Sequence, residues 1–292
     1  MSKSVSKSSK FNKFNSKSNK KRHSFSGGVK GSANLKEANI KSKTLNELEN
    51  KSSRIVMGIH SVKELFKVRK KSVVKMYLRT DWSRSSELLE IQKLAEANGV
   101  KIDEVGVEKL NQFGNSNQGV VVISNESPEF NLQKILSQKS VTIIALDGVE
   151  DPHNLGAILR TSWLMGVSAI IIPEDRAVGL VSTVNKVACG GAEYVPVYKV
   201  GGFSQIISQL KEKGFWVYGL STDAKDELYQ TVFPDKKVIF FGAEDKGMRT
   251  TTENLCDTLL KIPQKDNAAS YNVSVSVAIC LSESFRQHYT KN

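Results

Sequence analysis

From Val141 onward the chain consists of short apolar runs separated by stretches of helical periodicity, and no other feature limits its possible folds as much. VTIIAL, SAIIIP, YVPVY, FWVYGL, KKVIFFG and LLKIP read as strands. AILRTSWLMG, VSTVNKVACGG (closed by Gly190 and Gly191), FSQIISQLKEKG and YNVSVSVAICLSESFRQ read as helices. Apolar strands alternating with helices call for a mainly parallel sheet covered on both faces. Residues 141–292 are therefore expected to form an α/β domain whose ligands bind beyond the carboxyl ends of its strands.

The stretch before it repeats this character on a smaller scale. IVMGIHSVKELF reads as a helix, VVKMYL as a strand and SSELLEIQKLAEANG as a helix closed by Gly99; VKIDEV, VEKLNQF and GVVVI follow as strand, short helix and strand. Residues 51–125 are read as a small α/β domain. Residues 126–140, within NESPEFNLQKILSQKS, are read as a linker with one helical turn after Pro128.

Composition narrows the function classes. No apolar run reaches the ~18 residues of a membrane span, and the basic, polar start lacks the apolar stretch of a secretory signal. The three cysteines (Cys189, Cys256, Cys280) and four histidines (His23, His60, His153, His288) are scattered without metal-ligand spacing or a disulfide framework. A reducing compartment, no membrane and no metal are the expectations. The net charge is +12, yet residues 1–50 hold eleven Lys and one Arg against Glu37, Glu47 and Glu49, so most of the surplus is a tail. Rich in Ser, Lys and Asn, this tail is expected to be disordered. It reads as a tether that gains nucleic-acid affinity by counterion release, or as a solubilising or targeting extension. The absence of acids before Glu37 resembles a transit peptide, but Lys outnumbers Arg and no amphipathic face is visible, so the bacterial cytoplasm is expected rather than organellar import.

Three loops at predicted carboxyl ends of strands carry the polar chemistry: DGVEDPHNLGAILR (147–160), GAEDKGM (242–248) and NAASYNVS (267–274). Neither GxGxxG nor GxxxxGK[ST] occurs, so dinucleotide and Walker-type phosphate sites lose their main support. Asn154 reads as the N-cap of a helix from Leu155, or as a site residue, with Gly156 allowing close backbone approach. Arg160 reads as a solvated charge, although its apolar helix suggests that it must meet an anion or a carboxylate. Glu244 reads as a turn acid or a site residue. Ser270 and Asn272 read as caps of the last helix or as part of a binding wall.

The combination NxGxxxR, GxExxGM and a hydroxyl-x-N-V-S start to the last helix resembles the three motifs of the SpoU/TrmH branch of the SPOUT RNA methyltransferases. GIHSVKEL and NQGVVV resemble the front domain of its RlmB type, which methylates a guanosine ribose in large-subunit ribosomal RNA. The likeness covers nearly all of residues 55–290 and none of 1–50. It implies a C-terminal SPOUT domain with a deep trefoil knot, preceded by a small ribosomal-protein-like RNA-binding domain, and a homodimer with the site near the interface. It further implies S-adenosyl-L-methionine as cofactor, held mainly by backbone groups at Gly242, Ile262 and Tyr271; Tyr271 departs from the usual Leu. Arg160 would lie against the target ribose and its phosphate, with Asn154 fixing that geometry. Glu244 would orient Arg160 or the substrate, and Ser270 and Asn272 would complete the wall. Lys63, Lys67, Arg69, Lys70, Lys71 and Lys75 would make phosphate contacts that position RNA without reading its sequence. A transfer RNA methyltransferase and a non-catalytic RNA-binding or ribosome-assembly protein on the same fold are the alternatives.

Overall fold

The computed structural model describes residues 53–266 and 269–289. The basic tail of residues 1–50, with its expected disorder and tether role, lies outside the described residues.

Gly58 divides what periodicity alone joins. The β-branched pair Ile55–Val56 lies in strand β1 (Arg54–Met57), Gly58 turns the chain at φ 88°, and helix α1 (Ile59–Arg69) begins only after it. IVMGIHSVKELF is thus a strand and a helix rather than one helix, because an interior residue at positive φ ends helical geometry. A Cβ on Gly58 would lie 2.9 Å from Gln118 Oε1, which accepts the Ile59 N–H at 3.0 Å. Then follow β2 (Val73–Arg79), α2 (Ser86–Ala97), β3 (Ile102–Val105), α3 (Val107–Asn111) and β4 (Val120–Ser124). The four strands form a sheet in the order β1-β4-β2-β3, in which only β2 and β3 run parallel. Alternation along β2 sends Met76 and Leu78 under α1 and α2, and Tyr77 to the opposite face beside Leu110 of α3.

After α4 (Leu132–Leu136), the larger sheet is built from β5 (Val141–Asp147), β6 (Ala169–Pro173), β7 (Val197–Val200), β8 (Trp216–Leu220), β9 (Asp226–Glu227), β10 (Lys236–Gly242) and β11 (Thr258–Lys261). Its order is β7-β6-β5-β10-β8-β11-β9, and every neighbouring pair is parallel. The interleaved helices are α5 (Pro152–Leu164), α6 (Ser182–Val187), α7 (Phe203–Glu212), α8 (Thr250–Glu253) and α9 (Val273–Tyr289). Ile144 and Leu146 of β5 pack with α5, α6 and α9, while Ile143 and Ala145 pack with α7 and α4. The sheet is therefore covered on both faces, as fully apolar parallel strands require. Two elements are shorter than the sequence pattern suggests. YVPVY contributes only from Val197, since Tyr194 and Val195 bond back to Gly191 in a turn. VSTVNKVACGG is helical only to Val187, and Gly190 takes the left-handed conformation beyond it.

Helix α5 is held unusually close to its neighbours. A Cβ on Gly156 would lie 2.6 Å from Val187 Cβ and 3.0 Å from the Val184 carbonyl oxygen of α6. Gly156→Val is expected to lower stability by about 1–3 kcal/mol through overpacking. A lower urea midpoint at unchanged slope checks this; an unchanged midpoint would show that α6 yields freely.

Candidate functional site

Two strand ends in register begin the site. Asp147, closing β5, pairs with Gly242, closing β10, and the chain leaves both strands into loops on the same edge of the sheet. Asp151 caps α5 by accepting the His153 N–H at 2.9 Å, and Pro152 is the first helical residue. Asn154 is therefore inside the first turn and does not cap a helix from Leu155, because the fixed φ of Pro152 and the Asp151 carboxylate start the helix earlier.

Asn154 has a buried side chain whose Nδ2 donates to Glu244 Oε1 at 3.1 Å and whose Oδ1 accepts from Asn272 Nδ2 at 3.0 Å. Glu244 Oε1 also accepts from Asn272 Nδ2 and, at 3.4 Å, from the Val273 N–H. Asn272 caps α9 as well: its carbonyl oxygen accepts the Ser276 N–H at 2.9 Å and its Oδ1 the Ser274 N–H at 2.9 Å. One residue from each polar loop thus enters a single hydrogen-bonded hub. Glu244 is held by these amides, and among the described residues it makes no hydrogen bond to Arg160, which it was expected to orient if not the substrate.

The loop carrying Glu244 folds back on its own start. Ala243 and Gly247 exchange backbone hydrogen bonds of 3.1 and 2.9 Å, and a Cβ on Gly242 would lie 2.1 Å from the Gly247 carbonyl carbon and 2.2 Å from the Met248 nitrogen. No side chain fits there. Asp147, almost fully buried, anchors the return: its Oδ2 accepts the Arg249 N–H at 3.0 Å and its Oδ1 accepts Arg249 Nε at 2.8 Å. Neither Asp147 nor Arg249 stood out in the sequence, although an acid ending an apolar strand just before Gly148 was a usable signal. Beneath these loops is a cavity of about 570 Å³ lined by Gly242, Glu244, Ile262, Ser270, Tyr271 and the segment 221–223, among others. The residues expected to touch the cofactor, Gly242, Ile262 and Tyr271, therefore line one space beyond the carboxyl ends of β10, β11 and β8, together with Ser270 and Glu244.

Arg160 stands apart. Six residues along a helix turn a side chain about 120° away from Asn154. It is exposed, and Nη1 donates to Cys189 Sγ at 3.5 Å. Of the two partners expected for it, an anion or a carboxylate, no carboxylate meets it among the described residues, and the residue faces water. All three cysteines are free, and burial pushes the Cys256 and Cys280 thiols up to about 12.

The basic residues of the front domain, on α1, the turn after it and β2, differ in what they meet. Lys63 pairs with Glu90 at 2.5 Å, Lys67 with Glu64 at 2.6 Å and Lys75 with Asp103 at 2.7 Å, which holds the Lys75 ammonium above its usual range. Arg69 is corrected as a phosphate contact: its guanidinium is largely buried and committed to Glu193. Lys70 and Lys71 are exposed and form no salt bridge among the described residues. Among the described residues no cluster of three metal-ligating side chains occurs, and no helix is long and apolar enough to cross a membrane.

Asp147→Ala is expected to cost about 1–3 kcal/mol, because the Arg249 N–H loses its acceptor at the base of the loop. Urea unfolding together with limited proteolysis of residues 243–249 checks this; unchanged values would show that the Ala243–Gly247 bridge suffices to hold the loop.

Residues 141–282 match the model of the SpoU rRNA methylase family, and residues 55–130 match a model described as RNA 2'-O ribose methyltransferase substrate binding. The 23S rRNA (guanosine-2'-O-)-methyltransferase RlmB of Shewanella oneidensis is 37% identical over 243 residues, covering 81% of this chain and 98% of that one. The RlmB of Neisseria meningitidis is 38% identical over 248 residues, covering 82% and 98%. The fold is that of the SpoU methyltransferase AviRb from Streptomyces viridochromogenes in complex with AdoMet, at TM-score 0.74 and 17% identity over 88% of this chain and 98% of that one. The AdoMet-bound rRNA methyltransferase of Sinorhizobium meliloti superposes at TM-score 0.70 and 21% identity, covering 88% and 97%. With both halves matched and curated relatives aligned over most of its length, the chain belongs to the SpoU rRNA methylase family.

Proposed function

We propose that this chain is an RNA 2'-O-ribose methyltransferase that uses S-adenosyl-L-methionine to methylate a guanosine ribose in large-subunit ribosomal RNA. The observation that carries this reading is the hub of Asn154, Glu244 and Asn272 at the rim of a cavity lined by Gly242, Ile262 and Tyr271. A cavity of about 570 Å³ suits a ligand of the cofactor's size. The bare backbone at Gly242, where no Cβ fits, suits recognition by main-chain groups. When bound, the cofactor supplies an activated methyl group, so the chain must position the nucleophile, assist loss of its proton and keep water out.

In this reading Asn154 and Asn272 hold Glu244 by one carboxylate oxygen; the other, which takes no hydrogen bond among the described residues, remains an acceptor for a substrate hydroxyl. Ser270 and Asn272 wall the site. Arg160, exposed and paired with no acid among the described residues, is available to the ribose and its phosphate, and acts as a fixed cation because a guanidinium does not give up its proton. Lys70 and Lys71 carry the phosphate contacts of residues 51–125 more fully than the paired Lys63, Lys67 and Lys75. Residues 126–140 join this RNA-binding domain to the methyltransferase domain of 141–292. We further propose that the latter is threaded as a deep trefoil knot, a reading supported by the contact of Gly242 with Met248 and by the return of Asn272 to Asn154. A homodimer with the site near its interface accounts for Leu164, Val275 and Phe285, exposed on α5 and α9. The location is the bacterial cytoplasm, and the basic tail tethers RNA.

Methyl transfer from radiolabelled cofactor to total ribosomal and transfer RNA of a strain lacking the gene tests the reading. Label in a 2'-O-methylguanosine of the large-subunit RNA is expected; label in transfer RNA alone overturns the substrate. Arg160→Ala should keep cofactor affinity and melting temperature while losing about 100-fold or more in rate, and a large fall in melting temperature would mark the residue as structural. Deleting residues 1–50 should weaken RNA binding and flatten its salt dependence; an unchanged slope would remove the tether role.

A further inference from the structure

The two sheets meet through a buried polar contact that the proposed chemistry does not use. The Glu193 side chain is 1% exposed and receives two guanidinium groups from the front domain, those of Arg54 and Arg69, which are 10% and 16% exposed. Arg54 Nη1 donates to Oε1 at 2.8 Å and its Nη2 to Oε2; Arg69 Nη2 donates to Oε2 and, at 2.6 Å, to the Glu193 carbonyl oxygen. The Arg54 end is a two-pronged pair, which fixes direction as well as distance. Around it, the Tyr194 hydroxyl donates to Glu64 Oε2 at 2.6 Å, Ser61 Oγ donates to the Asn185 carbonyl oxygen at 2.9 Å, and Asn185 Nδ2 donates to the Ile55 carbonyl oxygen at 3.2 Å. Burial, then the Glu64 contact, pushes the Tyr194 phenol up to about 12, so this bond persists across the physiological range.

The turn that carries Glu193 is pressed between the front domain and the helix of Arg160. A Cβ on Gly190, at φ 98°, would lie 2.5 Å from Glu64 Cγ. A Cβ on the adjacent Gly191 would lie 2.7 Å from the Leu159 carbonyl oxygen and 3.0 Å from Arg160 Cα. The attachment point of the front domain and the backbone of Arg160 are thus in direct contact through two glycines.

We propose that Glu193 is a positioning residue for methyl transfer: by holding Arg54 and Arg69 it sets the angle at which RNA bound to the front domain presents its target ribose to Arg160. The proposal rests on the reading of the front domain as RNA-binding. A buried ion cluster adds little net stability over an apolar contact of the same volume, whereas it imposes one geometry and penalises others. Displacements of about 1 Å in a presented substrate cost rates on the order of 100-fold.

The test uses the full chain, with methyl transfer measured on a long large-subunit RNA fragment that reaches both domains and on a short hairpin holding only the target nucleotide. In Glu193→Gln, kcat on the long RNA is expected to fall about tenfold or more, while the hairpin's kcat/KM and the cofactor's Kd stay within about twofold of wild type. A parallel fall on both RNAs means a merely structural role and overturns the proposal, as does no fall on either. Arg54→Gln, which keeps the Glu193–Arg69 pair, should give a smaller loss with the same selectivity for the long RNA, and it decides the matter if Glu193→Gln does not fold. A wild-type chain that methylates neither RNA overturns the functional reading, and the proposal with it.

Discussion

The parallel pairing of β5 with β10 at the middle of the large sheet is the constraint from which the site descends. The hydrogen-bond ladder puts Asp147 opposite Gly242, so two loops far apart in sequence leave the sheet side by side. The Asp147 carboxylate then takes both the backbone N–H and the guanidinium of Arg249, and so bends the chain back over Gly242. That bend aims Glu244 at Asn154 and Asn272. If the two strands were one residue out of register, the acid and the glycine would no longer face each other and the loop would have no anchor.

Missing side chains shape the molecule as much as present ones. Gly242 lets the loop cross its own backbone, Gly156 lets α5 lie against α6, and Gly191 lets the following turn press on Arg160 Cα. These contacts divide α5 into two working flanks. Asn154 faces inward to the hub, and Arg160, about 120° further round, faces outward with Cys189 as its neighbour. The separation suits a site in which amides and a carboxylate shape the rim while a cation waits for a polyanion.

The front sheet and the large sheet have their own apolar cores, and what joins them is mainly polar: Glu193 with two arginines, and Glu64 with Tyr194. Such a seam tolerates one arrangement well, because each buried guanidinium and carboxylate needs its partner in place. It also explains why Arg69, in a run of basic residues, is not a surface charge like Lys70 and Lys71.

Local pattern determined a large part of this protein. The short, nearly continuous apolar runs from VTIIAL to LLKIP already specified parallel strands, the intervening periodicity specified their helices, and the polar residues clustered after strand ends marked Asn154, Glu244 and Asn272. Boundaries failed where a single residue overrode a pattern: Gly58 split a helix into strand and helix, and Asp151 with Pro152 started α5 before Asn154. Pairings over long separations were decided by the tertiary structure alone. Arg54 and Glu193 are 139 residues apart, Asn154 and Asn272 118, and Asp147 and Arg249 102. Periodicity records which face of an element is apolar, but carries no record of which distant group will neutralise a buried charge; that is settled only when strand order and register bring the two together.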